Sequence, residues 1–167
     1  MTTRRRDILR IHAIIGPMTN LYILVLALAG AGVGAQIAVN AGLGAATLSP
    51  LWAANINFAV SIIVGLTVLG ISILLGHPVA PGPAIWTAPK WVWLGGVFGG
   101  MYVLLAIILT RTVGVAVLSA ATIGGQLTAA VLIDHYGWFG ATVYRLSATR
   151  LIGTLFLMVG VALIRWK

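Results

Sequence analysis

The sequence predicts an all-α integral membrane protein with five transmembrane helices, and three observations support this fold class. Of the 167 residues, 60% are hydrophobic and only 7% are charged, so the chain cannot bury its apolar surface in water. Stretches without charged residues lie at 21–39, 51–75, 91–110, 114–133 and 151–164. The first four are each about as long as a helix that crosses a hydrocarbon layer of about 30 Å.

The fifth stretch is shorter, and it spans the layer if Arg150 and Arg165 at its ends extend to the membrane surface. The third observation concerns the six tryptophans, which all lie at the ends of the stretches or in adjoining loops. They are Trp52, Trp86, Trp91, Trp93, Trp138 and Trp166. Tryptophan rings favour the headgroup region of a bilayer. We therefore expect one five-helix membrane domain at residues 19–167.

Helix 1 is expected at about residues 21–41, after Gly16-Pro17, which separates it from a basic segment at residues 1–18. That segment fits either a short amphipathic helix on an anionic membrane surface or a disordered tail. Its arginine run, which begins at Arg4, also resembles a twin-arginine export signal. We expect helix 1 to be retained, because its apolar stretch is long and four more membrane segments follow it.

Helix 2 is expected at about residues 50–75, with Ser49 as its cap and Pro50 as its first residue, where proline loses no hydrogen bond. The next segment, HPVAPGPAIWTAP, begins at His77 and contains four prolines. Because proline disrupts a helix interior, this loop is expected to be non-helical and to end at Pro89, where helix 3 begins.

Helix 3, at about residues 90–110, and helix 4, at about 114–133, are joined by so few residues that they must be antiparallel neighbours. Residues 134–148 are expected to form the last loop. Ser147 is the expected cap of helix 5, at about residues 147–166.

The ten Lys and Arg residues outnumber the two acids, which gives a formal charge of +8. The basic residues lie in short clusters at helix ends and favour membrane anchoring over binding of nucleic acid. Seven lie on the N-terminal side of the membrane and three on the opposite side. The positive-inside rule then places the N-terminus in the cytoplasm and the C-terminus outside a bacterial inner membrane. Without the N-terminal segment the two sides are equal, so the helical body has no charge preference of its own.

Several chemistries are not expected. The chain has no cysteine, which excludes disulfides and thiolate metal sites, and its two acids and three histidines are too few for a convincing metal site. No catalytic motif is present, so we expect neither a cofactor nor enzymatic activity.

Neutral polar residues lie at graded depths in the predicted helices, as a polar path through a membrane would require. The candidates are Gln36, Asn40, Asn57, Tyr102, Thr122 and Gln126. The alternative is that each bonds to a neighbouring helix, which contributes about 1 kcal/mol. Asn55 is expected to tie helix 2 to the adjoining loop.

Two further groups have both a functional and a structural interpretation. Asp134 and His135 could exchange protons or gate a path, although an Asp and a His at a helix end are more often caps or anchors. Three glycine pairs with four-residue spacing favour close helix packing, static or sliding. They are Gly30 with Gly34, Gly95 with Gly99 and Gly96 with Gly100.

Three motifs resemble the YdcZ-like inner-membrane proteins of the drug/metabolite transporter superfamily. They are WVWLGGVFGGMYVLL (91–105), IGGQLTAAVLIDHYGWFG (123–140) and RLIGTLFLMVGVALI (150–164). The run GAQIAVNAGLG, followed by Ser49-Pro50 and Asn57, matches the first two helices of the family. The resemblance covers about residues 20–165.

The resemblance implies a half-transporter that pairs antiparallel with a second copy, or with a related five-helix chain, around a site at the midplane. Small four-helix relatives couple transport to protons through a glutamate in helix 1, whereas this chain has the neutral Gln36 there. We expect a transporter subunit that exports a small organic metabolite or drug-like molecule by alternating access. The alternatives are a non-transporting partner that binds or stabilises another membrane complex, and a pore.

Overall fold

The computed structural model describes residues 3–77 and 82–166, with the side chains of residues 19–77, 82 and 85–166. It is all-helical, with 87% helix and no strand in the described part of the chain. The α-helices are α1 (Thr3–Thr47), α2 (Pro50–Leu74), α3 (Leu94–Val113), α4 (Val115–Tyr136) and α5 (Ala148–Arg165). Short 3₁₀ helices are Pro83–Thr87, Lys90–Trp93 and Trp138–Gly140. By residue contacts the chain divides into two units, Met1–Gln36 and Ile37–Lys167.

All five α-helices contain a segment that is long and apolar enough to cross a membrane. The segment in α1 is Thr19–Thr47, and the others are essentially whole helices. Little of their surface is covered by the chain itself, since no residue in the most apolar windows of α2 and α5 is buried. The predicted fold class is confirmed, and lipid is the natural solvent for these surfaces.

Helix α1 is much longer than the predicted 21–41, because it begins at Thr3 and continues through Gly16-Pro17. The predicted break there is wrong. A proline removes one backbone hydrogen bond, and a helix in a membrane protein tolerates that loss. Whether the basic segment at residues 1–18 presents an amphipathic face concerns side chains that lie outside the described residues.

The C-terminal end of α1 extends to Thr47, six residues beyond the prediction. The Thr47 hydroxyl lies 2.9 Å from the carbonyl oxygen of Leu43 and 3.0 Å from that of Ser49, which stabilises this last turn. The chain then reverses at Leu48, whose φ of 54° is left-handed.

The predicted caps of α2 and α5 are confirmed. Ser49 is extended, and its hydroxyl accepts a hydrogen bond from the Trp52 N–H at 3.4 Å, while Pro50 takes the first helical position. Ser147 accepts from the Arg150 N–H at 3.3 Å in the same way.

The segment after His77 differs from the prediction of a non-helical loop. Pro83–Thr87 and Lys90–Trp93 form 3₁₀ helices, so α3 begins at Leu94 rather than near residue 90. A proline in the first turn needs no hydrogen-bond partner for its nitrogen, and short helices can therefore follow it. Residues 78–81 lie outside the described part.

A single residue joins α3 and α4. Gly114 has a φ of 82°, which side-chain-bearing residues rarely adopt. The two helices pack on each other, as predicted, and α2 packs on α3 while α5 packs on α4. Helix α4 continues to Tyr136 and ends at the left-handed Gly137, so Asp134 and His135 lie in its last turn and not in a loop.

The buried residues of the Ile37–Lys167 unit are concentrated near the turns that join α1 to α2 and α3 to α4. We call these residues the packed core: Ile37, Asn40, Gly44, Ala53, Ala54, Ala106, Ile107, Thr110 and Leu118. They come from the end of α1, the start of α2, the end of α3 and the start of α4. By contrast, residues 59–69 of α2 are all exposed. The chain therefore packs tightly in only one half of these helices.

Candidate functional site

Tyr102 on α3 is the most informative polar residue of the membrane-spanning part. Its half-buried ring packs against the apolar cluster of Ile37, Ala106 and Leu118. Its hydroxyl oxygen is buried and has no hydrogen-bond partner among the described residues. A buried polar group without a partner costs about 1–3 kcal/mol. The phenol hydroxyl is therefore open to a hydrogen-bond partner from outside the described residues.

Two further polar side chains lie in the packed core. Asn40 and Thr110 are each only 6% exposed. The Thr110 hydroxyl donates to the Ala106 carbonyl of its own helix and is satisfied there. Asn40 follows Ile37 by about one helical turn, which places it on the same face of α1 as the cluster that Tyr102 touches.

The remaining path candidates are less closely grouped. Asn57 and Thr122 are half-buried, whereas Gln126 is exposed. Gln36 is half-buried and belongs to the Met1–Gln36 unit. Their role in a path stays a prediction. The role expected of Asn55 is wrong, because its side-chain nitrogen donates to the Leu51 carbonyl of the same helix at 2.9 Å.

A second group of polar contacts joins the C-terminal end of α4 to the N-terminal end of α5. Asp134 Oδ2 and Arg150 Nη1 are 3.2 Å apart, with side chains 35% and 39% exposed. The Arg150 guanidinium also lies 5.3 Å from the ring centroid of Tyr144, a cation–π contact. Arg150 was predicted only to extend from the end of helix 5 to the membrane surface. The structure adds an ion pair with Asp134 and a contact with the Tyr144 ring.

His135 completes this group. Its Nδ1 accepts a hydrogen bond from the Leu146 N–H at 3.1 Å, and the Tyr144 N–H donates to the Asp134 carbonyl at 2.9 Å. We call Asp134, His135, Tyr144, Leu146 and Arg150 the α4–α5 corner. These contacts are those of anchors that hold the connecting loop. A role in proton exchange or gating stays a prediction.

The helical glycines that lie closest to a neighbouring helix differ from the predicted pairs. A Cβ atom at Gly44 would lie 2.8 Å from Ile107 Cγ2, and one at Gly124 would lie 3.1 Å from Met158 Sδ. Sequence reasoning missed both, although Gly124 is preceded and followed at four-residue spacing by the small residues Ala120 and Thr128. That spacing was an available signal.

Among the predicted glycine pairs, Gly100 lies against Phe58. A Cβ atom added at Gly100 would be 3.8 Å from Phe58 Cζ, an ordinary van der Waals contact. A Cβ at Gly96 would meet no described atom within 4 Å. Gly30 and Gly34 belong to the Met1–Gln36 unit, whose described residues are all part of α1, so that unit offers them no second helix.

Comparison with known proteins identifies the family. A family model described as "Putative inner membrane exporter, YdcZ" matches residues 21–163, which includes parts of all five α-helices. Searches of curated proteins and of solved structures gave no match. The family match and the five apolar helices agree with the motifs at 91–105, 123–140 and 150–164. The chain is a multi-pass inner-membrane protein and belongs to the YdcZ-like family of exporters.

Proposed function

We propose that the chain is one subunit of an exporter that moves a small organic molecule outward by alternating access, and that Tyr102 hydrogen-bonds the substrate. The observation that carries this proposal is the buried, unpartnered hydroxyl of Tyr102. Membership of an exporter family supports transport in general, and the hydroxyl provides a chemical reason for a specific contact.

The hydroxyl suits a binding role because it already bears the cost of desolvation. A substrate group that reaches it gains a hydrogen bond without first displacing a partner in the protein. The neighbouring residues Ile37, Ala106 and Leu118 are apolar and buried, so they exclude water from the hydroxyl and would strengthen a hydrogen bond that it makes to a substrate. Small-molecule sites typically combine apolar residues with a few polar groups of this kind.

A paired assembly would complete the path. The apolar windows of α2 and α5 contain no buried residue, and Gly96 offers an uncovered small-residue position at the start of α3. Both features suit a second five-helix chain in the inverted orientation that the family resemblance implies. In that assembly Asn57, Thr122 and Gln126 would line the path that Tyr102 and Asn40 begin.

The α4–α5 corner is the proposed gate at one membrane surface. Its ion pair between Asp134 and Arg150 is about one-third exposed, so it can open and close at a modest energetic cost. We place this surface on the cytoplasmic side, because the distribution of Lys and Arg favours a cytoplasmic N-terminus.

The decisive variant is Tyr102→Phe, which removes only the hydroxyl. Inside-out membrane vesicles would be given a defined mixture of neutral and charged small metabolites, and uptake of each compound would be followed by mass spectrometry. We expect at least one compound to accumulate saturably with the wild-type protein. We expect Tyr102→Phe to reduce that uptake about tenfold or more, because a buried hydrogen bond to substrate is lost.

The matched control is Tyr22→Phe, since Tyr22 is 62% exposed on α1. Thermal stability separates binding from folding: Tyr102→Phe should leave the unfolding midpoint unchanged or raise it, because the hydroxyl has no described partner to lose. Equal uptake by wild-type and Tyr102→Phe proteins would contradict the proposed site. Protein-independent uptake of every compound would contradict the transport function.

A further inference from the structure

An apolar groove lies between α4 and α5, and its lining includes neither a residue of the cluster around Tyr102 nor one of the α4–α5 corner. On α4 it is lined by Ala116, Ser119 and Ala120, and on α5 by Gly160, Val161 and Ile164. Its volume is about 330 Å³. Gly160 opens its floor, because a Cβ atom built there would meet no described atom within 4 Å. The small residues therefore create space that the chain itself does not fill.

A second hollow adjoins this groove at Val161, which lines both. It has a volume of about 480 Å³ and reaches Arg165 and Trp166 at the C-terminal end of α5. The two hollows together lead from the apolar middle of α5 to a basic and aromatic end.

The charge at that end is not neutralised within the described part of the chain. Its one ion pair joins Asp134 to Arg150, and α5 runs antiparallel to α4, so Arg165 lies at the opposite end of the helix pair. Trp166 beside it is 84% exposed. The N-terminus of α4, which has no side-chain cap at Gly114, lies at this same end. Basic residues and helix N-termini both attract anions.

We propose that this groove binds an anionic phospholipid. One acyl chain lies along the small residues between α4 and α5, the phosphate is held by Arg165, and Trp166 lies at the headgroup level. The groove is apolar along most of its length and basic at one end, which matches an acyl chain with an anionic headgroup better than the apolar helix of a second copy. The site is separate from the proposed substrate contact at Tyr102 and does not depend on it.

The test is native mass spectrometry of the full chain, purified in detergent and offered equal amounts of phosphatidylglycerol and phosphatidylcholine. We expect phosphatidylglycerol adducts to exceed phosphatidylcholine adducts. Arg165→Gln should lower the phosphatidylglycerol affinity about fivefold, since it removes one basic residue from the anionic headgroup. Gly160→Leu should weaken both lipids, because Gly160 lines the groove and a Cβ atom there would meet no described atom within 4 Å, so the added side chain can occupy the groove.

Two matched controls keep the experiment specific. Arg111→Gln removes a basic residue at the end of α3 that does not line either hollow, and Gly153→Leu adds the same bulk to α5 outside the groove. Both should bind phosphatidylglycerol like the wild-type protein. Equal binding by Arg165→Gln and Arg111→Gln, or by Gly160→Leu and Gly153→Leu, would overturn the proposal. So would efficient cross-linking of two chains through Gly160→Cys, which would assign the groove to a second copy.

Discussion

The packed core joins α1, α2, α3 and α4, whereas the α4–α5 corner joins α4 to α5, and the two regions hold their helices together by opposite means. In the packed core, backbones approach closely because a glycine faces a buried isoleucine, Gly44 against Ile107. In the corner, an ion pair and two hydrogen bonds to the loop connect partly exposed groups. The core should therefore tolerate almost no added volume, whereas the corner should tolerate most single substitutions.

The difference matters for function because a transporter must keep one region fixed while another moves. A closely packed core has at most a few discrete arrangements and resists small deformations. Surface polar contacts exchange readily with water and headgroups and cost little to break. We therefore propose that the packed core stays fixed and that the α4–α5 corner moves.

The largest effect is expected from Gly44→Ala. The new Cβ atom would lie 2.8 Å from Ile107 Cγ2, and Ile107 is only 2% exposed, so one of the two helices must shift. Overpacking of this kind costs about 1–3 kcal/mol. We expect a clearly lower thermal unfolding midpoint of the protein in detergent.

A control variant and a compensating variant make this prediction specific. Gly42→Ala adds the same methyl group where no described atom lies within 4 Å and should leave the midpoint nearly unchanged. Adding Ile107→Leu to Gly44→Ala removes the crowding Cγ2 atom and should recover part of the loss. If Gly44→Ala and Gly42→Ala unfold at the same temperature, the packed core is looser than described.

A smaller effect is expected from Gly124→Ala, where α4 meets α5. The added Cβ would lie 3.1 Å from Met158 Sδ, but a methionine side chain is flexible and can move aside. We expect a loss of about 1 kcal/mol or less. Gly125→Ala is the control, because its Cβ would meet nothing within 4 Å. A loss as large as that of Gly44→Ala would show that Met158 is not free to adapt.

At the corner, His135→Ala should loosen the loop without unfolding the protein. The Leu146 N–H loses its acceptor, so its hydrogen exchange should become about two- to fivefold faster. His77→Ala, which changes an exposed histidine far along the chain, should not alter exchange at Leu146. Unchanged exchange in the His135→Ala protein would mean that this hydrogen bond does not hold the loop.

The smallest effect is expected from Asp134→Asn, which breaks the ion pair with Arg150. Because both side chains are about one-third exposed, the loss should be about 0.2–1 kcal/mol and should shrink further at high salt. Arg145→Gln removes a loop charge that has no ion pair in the described structure and serves as the control. A loss well above that of Gly124→Ala would place the corner, and not the packed core, at the centre of stability.

Local chemistry made much of the fold predictable. The helix count, and the caps at Ser49 and Ser147, follow from apolar length and from the residues at each boundary. The boundary errors arose where one local rule was applied too strictly. Gly16-Pro17 was expected to separate helix 1 from the basic segment, and the loop prolines were expected to exclude a helix, although proline at a first turn or in a membrane helix is tolerated.

The site was only partly predictable, because sequence spacing does not state which face of a helix meets a neighbour. Tyr102 was identified from its depth in an apolar helix, but its unpaired hydroxyl is a property of the packed structure. For the same reason the pairing of Asp134 with Arg150, and the contact of Gly44 with Ile107, were not foreseen. Each joins residues that lie well apart in sequence.

The most direct test of whether all five helices cross the membrane is to determine on which side of it each loop lies. Single cysteines would replace Leu48, Trp86, Val143 and Trp166, which are 90%, 89%, 57% and 84% exposed, in a chain without native cysteine. Labelling intact cells with a membrane-impermeant maleimide should modify positions 48 and 166 alike, and positions 86 and 143 only after permeabilisation. If two orientations coexist, all four positions should label from both sides, with 48 and 166 still equal. Labelling of 48 and 166 from opposite sides would contradict five crossings.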